Sequence, residues 1–100
     1  MISKDKIIEV LKTVFDPEIP VNIWDLGIVY NIDISDNNDV TITMTMTAPN
    51  CPISEMIIDD VKSSLSNIEG INDIKINLTF NPPWSPDMMS EEAKLQLGLF

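Results

Sequence analysis

The spacing of apolar positions switches between helical and strand periods along this 100-residue chain, and each switch marks an element. Over residues 4–15, Ile7, Ile8, Leu11, Val14 and Phe15 recur at helical intervals behind Ser3, a suitable N-cap, so an amphipathic helix is predicted there. Asp16-Pro17-Glu18-Ile19-Pro20 ends it, because proline cannot continue the hydrogen-bond ladder, and a loop runs to Gly27. From 28 to 34 the period drops to two, with Ile28, Tyr30, Ile32 and Ile34 on one side. Asp36-Asn37-Asn38-Asp39 turns the chain. Val40, Ile42, Met44 and Met46 then alternate with Thr41, Thr43, Thr45 and Thr47, a second strand folding back on the first with its threonines outward.

Helical spacing returns over residues 52–68, through Ile53, Ile57, Val61, Leu65 and Ile68, with Gly70 as a stop. Ile74, Ile76, Leu78 and Phe80 give a third strand, Asn81-Pro82-Pro83-Trp84-Ser85-Pro86 breaks it, and Ser90-Glu91-Glu92 caps a last short helix ending at Gly98. The order α-β-β-α-β-α describes one α+β domain over residues 1–100, a two-layer fold with helices on one face of a three-stranded mixed sheet. The central helix carries the chain back across the sheet, so the third strand should run parallel to the second. Three loops then meet at one end of the sheet: Trp24-Asp25-Leu26-Gly27, Ala48-Pro49-Asn50-Cys51 and Asn81-Pro82-Pro83-Trp84. Asp16 and Glu18, at the end of the first helix, are candidates to join them.

Charge narrows the partners. Sixteen acids against six lysines and no arginine give a net charge of −10, which argues against binding nucleic acid or an anionic membrane. No apolar run approaches the roughly 20 residues of a membrane span, and no charged apolar leader opens the chain, so a cytoplasmic location is expected. With no histidine, neither a Ser-His-Asp or Cys-His catalytic pair nor a His-ligated zinc site can be built from this chain alone. Among six methionines, Met44, Met46 and Met56 are expected to pack in the core.

The only cysteine, Cys51, precedes Pro52 where strand gives way to helix. With Pro52 as first helical residue the thiol would stand at the N-cap, where unpaired amides and the helix dipole stabilise an anion. A thiolate so placed is a better nucleophile and a better ligand for soft metals. A lone cysteine is also an ordinary small buried hydrophobe, and the residues alone fit both readings. Asp25 could orient a ligand or accept a proton near the thiol, or simply take backbone N–H bonds in a turn. Trp24 and Trp84 divide between an exposed docking residue and a lid on the core.

Four strings in order, Asp16-Pro17-Glu18-Ile19-Pro20, Asp25-Leu26-Gly27-Ile28-Val29-Tyr30, Met44 to Pro52 and Phe80 to Ser90, resemble the small SufT/PaaD-like proteins of iron-sulfur cluster assembly. The resemblance runs over nearly the whole chain. It implies a compact domain similar to the C-terminal domain of NifU-type scaffolds, and a role in cluster carriage, transfer or help to the assembly machinery. The family's functional cysteine falls on Cys51, with Asp16, Glu18, Asp25, Thr47, Pro49, Asn50 and Trp84 as further candidates. The extra C-terminal cysteine motif of the branch serving a phenylacetate-degrading oxygenase is absent, which sets that specialised role aside.

One thiol cannot complete a four-cysteine cluster, so a cluster on Cys51 would be shared with a second subunit, with a partner or with an external thiol such as glutathione. Assembly proteins and apo-protein targets are the partners implied, and a homodimer is one way of sharing. The alternative is a non-catalytic adaptor that docks targets through the loops around Asp25, Cys51 and Trp84. A thiol enzyme using Cys51 as nucleophile ranks last, for want of a histidine, a second cysteine or a cofactor motif, and no enzymatic activity is expected.

Overall fold

The computed structural model describes residues 2–17, 19–47 and 51–98, with backbone alone for 51–53. Its elements are α1 (Lys4–Leu11), α2 (Ile23–Leu26), β1 (Val29–Ile34), β2 (Asp39–Met44), α3 (Cys51–Ser66), β3 (Asp73–Leu78) and α4 (Glu91–Gln96), with a 3₁₀ turn at Pro86–Met88. The sheet order is β1-β2-β3, with β2 antiparallel to β1 and parallel to β3, as alternation and the crossover rule require. Both the α+β class and the mixed three-stranded sheet follow the expectation; α2 and the 3₁₀ turn are additions to it.

Helix α1 starts where Ser3 accepts the Lys6 N–H at 3.2 Å, but it stops at Leu11, short of the expected Phe15. Thr13 and Val14 are poor helix formers, and residues 14–16 instead pair with 21–23. Ile23 N–H donates to the Val14 carbonyl at 2.8 Å, and Phe15 bridges to Asn22. That pairing closes a tight loop over residues 16–21 and delivers the chain directly into α2. Asn22 caps α2 by accepting the Asp25 N–H at 2.9 Å, and Gly27, at φ +85°, ends it in the left-handed conformation that only glycine adopts at no steric cost.

The core lies between the sheet's inner face and α1, α3 and the C-terminal segment. Val40, Ile42 and Met44 of β2, with Met46 just beyond it, face it together with Ile7 and Leu11, Ile57, Val61 and Leu65, and Met89 and Ala93. Three expectations need correction. Met56 is 55 % exposed, because Ile57, Val61 and Leu65 define the buried stripe of α3 and one residue earlier is rotated about 100° away from it. Leu78 and Phe80, although in phase with Ile74 and Ile76, are 40 % and 47 % exposed, since the core ends before the strand does. The alternation expected through Tyr30 is broken too. A bulge between Val29 and Asn31 shifts the register there, so that Val29 pairs with Met44 while Asn31 pairs with Thr43.

On the open face, β-register stacks Asp33, Thr41 and Lys75 in one row and Asn31, Thr43 and Asn77 in the next. Thr45 continues this side by alternation, yet it is fully buried and its hydroxyl has no hydrogen-bond partner among the described residues. It lies level with the crossing of the C-terminal segment, where Thr79 N–H pairs with the Met44 carbonyl and the Tyr30 hydroxyl donates to the Pro82 carbonyl at 2.8 Å. A buried, unpaired hydroxyl costs about 1–3 kcal/mol. Thr45→Val, which keeps the shape and removes that group, is therefore expected to raise stability by about 1 kcal/mol in urea unfolding. A destabilised variant would show that the hydroxyl is paired in solution.

Candidate functional site

Two of the three loops predicted to meet, those of Asp25 and Trp84, do so at the end of the sheet where β2 and β3 finish and β1 begins, while residues 48–50 of the third lie outside the described residues. Thr45 N–H donates to the Ile28 carbonyl at 2.8 Å, bringing the end of β2 beside the start of β1, and the Thr79–Met44 bond places the end of β3 alongside. From that end, the chain after β3 crosses to α2. Trp84 Nε1–H donates to the Leu26 carbonyl at 2.7 Å, Ser90 N–H to the Asp25 carbonyl at 2.8 Å, and the Met88 carbonyl lies against Gly27. A Cβ placed on Gly27 would sit 2.3 Å from the Met88 oxygen, so this glycine serves both the turn and the close backbone approach.

Asp25 is half-buried. Its Oδ2 accepts from Asn22 Nδ2 at 2.9 Å while its own N–H donates to Asn22 Oδ1, a reciprocal pair that locks the first turn of α2. Asp25 thus sits inside the capped turn, its carboxylate bonded to the Asn22 side-chain amide rather than to the backbone N–H groups expected of it, with its main-chain carbonyl tied to Ser90 as well. Asn22 was not singled out by periodicity, because a four-residue helix has none to detect. The available signal was local: Asn22, then Asp25 three residues on, then Gly27 as a stop.

Asp16 is buried, 4 % exposed, in the loop joining α1 to α2, and its Oδ1 accepts the Ile19 N–H at 3.3 Å. It does not end the helix as expected, since α1 stops at Leu11; it accepts the Ile19 N–H in the loop beyond, and the residue is enclosed rather than solvated. Glu18, Pro49 and Asn50 lie outside the described residues. Thr47 is half-buried in a bend just past β2. Neither tryptophan is the exposed one expected: Trp24 and Trp84 are both half-buried and packed against the core.

Cys51 opens α3, so Pro52 is the second helical residue and Cys51 the first, one position inside the expected cap. Assignments of helix ends vary by a residue or two, and the location at the positive end of a 16-residue helix is unchanged. Chain length alone keeps its Cα within about 14 Å of Thr47, at the same end of the sheet as Gly27 and Thr79. Among the described residues no three of His, Cys, Asp and Glu are grouped to hold a metal ion, and no helix is long and apolar enough to cross a membrane.

Trp84→Phe tests how the crossing segment is held. An aromatic ring is kept, smaller than the indole, and the Leu26 carbonyl loses its donor, so a loss of about 1–3 kcal/mol is expected from packing and hydrogen bond together, with faster amide exchange over 25–30 measured by mass spectrometry. Unchanged exchange would mean that packing, not the indole N–H, fixes the segment.

The comparisons with known proteins agree with this geometry. Residues 4–78 match the family model described as iron-sulfur cluster assembly protein. A relative from Porphyromonas gingivalis, named an Fe-S protein maturation auxiliary factor, is 52 % identical over 96 residues, covering 96 % of this chain and 91 % of its own. The Bacillus subtilis factor YitW, of the same description, is 40 % identical over 96 % of this chain and 94 % of its own. The crystal structure of a domain of unknown function from Bacillus anthracis superposes with a TM-score of 0.90 at 43 % identity, covering 96 % of this chain and 92 % of that one. Matches of this length take in most of the segment after residue 78, beyond the family model itself. The chain belongs to the iron-sulfur cluster assembly protein family.

Proposed function

We propose that this protein is an auxiliary factor in the maturation of iron-sulfur proteins, and that it acts by carrying or passing a cluster through Cys51 as a shared or transient ligand. The observation that carries the reading is the location of the sole thiol. It opens a long helix that begins within four residues of Thr47, past the end of β2, and that end of the sheet is also where the crossing segment of Trp84 meets Leu26. A helix N-terminus favours the thiolate over the thiol, and thiolate is the form that binds iron.

The donor set limits the mode of action. With one cysteine and no histidine in the chain, the cluster is cargo and its remaining ligands come from elsewhere: a second copy, a client cysteine or a small thiol. A ligand shell assembled from several molecules also supplies a route for transfer, because a client thiolate can replace one outside ligand at a time. Asp25 has no direct part in this proposal, since its carboxylate is engaged by Asn22; it keeps α2, and through Gly27 the start of β1, in place.

Anaerobic reconstitution with ferrous iron, sulfide and glutathione tests the reading. Wild type is expected to develop cluster absorbance and to elute at a larger apparent mass when loaded, whereas Cys51→Ala does neither. Equal behaviour of the two proteins would remove the carrier role. If client capture were lost in Trp84→Ala and kept in Cys51→Ala, the adaptor alternative would take its place.

A further inference from the structure

The two edges of the sheet are unlike. On β1 the bulge at Val29–Asn31 interrupts the ladder, which blunts an edge against further pairing. β3 is regular from Asp73 to Leu78, contains no proline, and carries no strand on its outer side among the described residues. Its six residues offer about 20 Å of backbone. At the end nearer the start of α3, Leu78 and Phe80 extend the core face of the strand past its cover and form an exposed apolar lip.

Charge selects what could lie there. β3 and the helix packed against it expose Glu55, Asp59, Asp60 and Asp73 against Lys62 and Lys75, in a chain of net charge −10. A second copy would bring like charge to like, whereas a basic segment would be attracted. We propose that the outer edge of β3, with the Leu78–Phe80 lip, docks an extended polypeptide segment of a partner in which apolar residues alternate with lysine or arginine. Main-chain bonds to the edge would hold it, and its apolar side chains would rest on Leu78 and Phe80. The biological meaning rests on the maturation reading, since the segment would belong to a protein brought to the end of the sheet where Cys51 lies; the docking itself does not require the thiol.

The test uses a short synthetic peptide of alternating valine and lysine, with a valine–glutamate peptide and a version N-methylated at alternate amides as controls. Saturable amide shifts and slowed hydrogen exchange over residues 73–80 are expected for the basic peptide alone. Phe80→Ser and Leu78→Ser should each weaken it about tenfold, the weight of roughly one apolar side chain, and Cys51→Ala should bind as wild type does. The N-methylated control leaves the protein untouched, so it remains decisive if a serine variant folds poorly. Binding of the acidic peptide as well as the basic one, full binding of the N-methylated peptide, or shifts centred away from 73–80 would overturn the proposal. So would protection of β3 that rises with protein concentration and no peptide, which would make a second copy the occupant. A cluster-loading defect in Cys51→Ala together with no peptide binding would retain the maturation reading and discard this one.

Discussion

Gly27→Ala is expected to lower stability by roughly 3 kcal/mol, enough to shift the thermal midpoint of a domain this size by about 10 °C or more. Two costs combine. Gly27 has φ +85°, where a side chain costs about 1–2 kcal/mol. An added Cβ would also fall 2.3 Å from the Met88 carbonyl oxygen. That contact is with backbone and cannot be relieved by a rotamer change, so the crossing segment must move, at a further cost of about 1–3 kcal/mol. Met88 is bracketed by anchors on both sides: Trp84 on Leu26, Ser90 on Asp25, and Met89 with Ala93 in the core. Movement should therefore loosen the whole segment, seen as faster amide exchange over 84–93. Thermal unfolding of Gly27→Ala within 2 °C of wild type would show that the segment yields easily, and the close approach would lose its structural weight.

Cys51→Ala is expected to do the reverse, with a large effect on function and a small one on the fold. Cys51 opens α3, ahead of the stripe of Ile57, Val61 and Leu65 that anchors the helix. Alanine is the best helix former, so the backbone there should be kept. Activation of an apo-ferredoxin by the reconstituted protein should fall at least tenfold, because no other residue of the chain offers a thiolate, while the urea midpoint stays near that of wild type. A variant that delivers clusters normally would move the role from the thiol to the docking surfaces.

Much of the fold was legible because its signals are local. Ser3 and Ser90 cap the helices expected of them, at 3.2 Å to Lys6 N and 3.1 Å to Ala93 N, and the alternation in β2 sorted Val40, Ile42, Met44 and Met46 inward. Failures arose where distant segments decide. Alternation assigns Thr45 a side of the sheet but not its burial there, and it cannot say that cover ends before Leu78 and Phe80. Val14 and Phe15 carry helical spacing, yet pairing with residues 21–23 outweighs one more turn of α1. The meeting of the Asp25 and Trp84 loops followed from topology, since a hairpin and a parallel third strand bring the start of β1 and the ends of β2 and β3 to one end of the sheet. The tryptophans were misjudged because composition does not reveal that Trp84 has the Leu26 carbonyl to bond.

The central claim is that Cys51 passes a cluster, and cluster transfer measured under argon tests it most directly. Wild type and Cys51→Ala, each treated with ferrous iron, sulfide and glutathione and then freed of unbound reagents, would be mixed with an apo-ferredoxin and its spectrum followed. A carrier of this kind gives rapid transfer from wild type and none above the reagent blank from Cys51→Ala. Equal rates from the two proteins would contradict it.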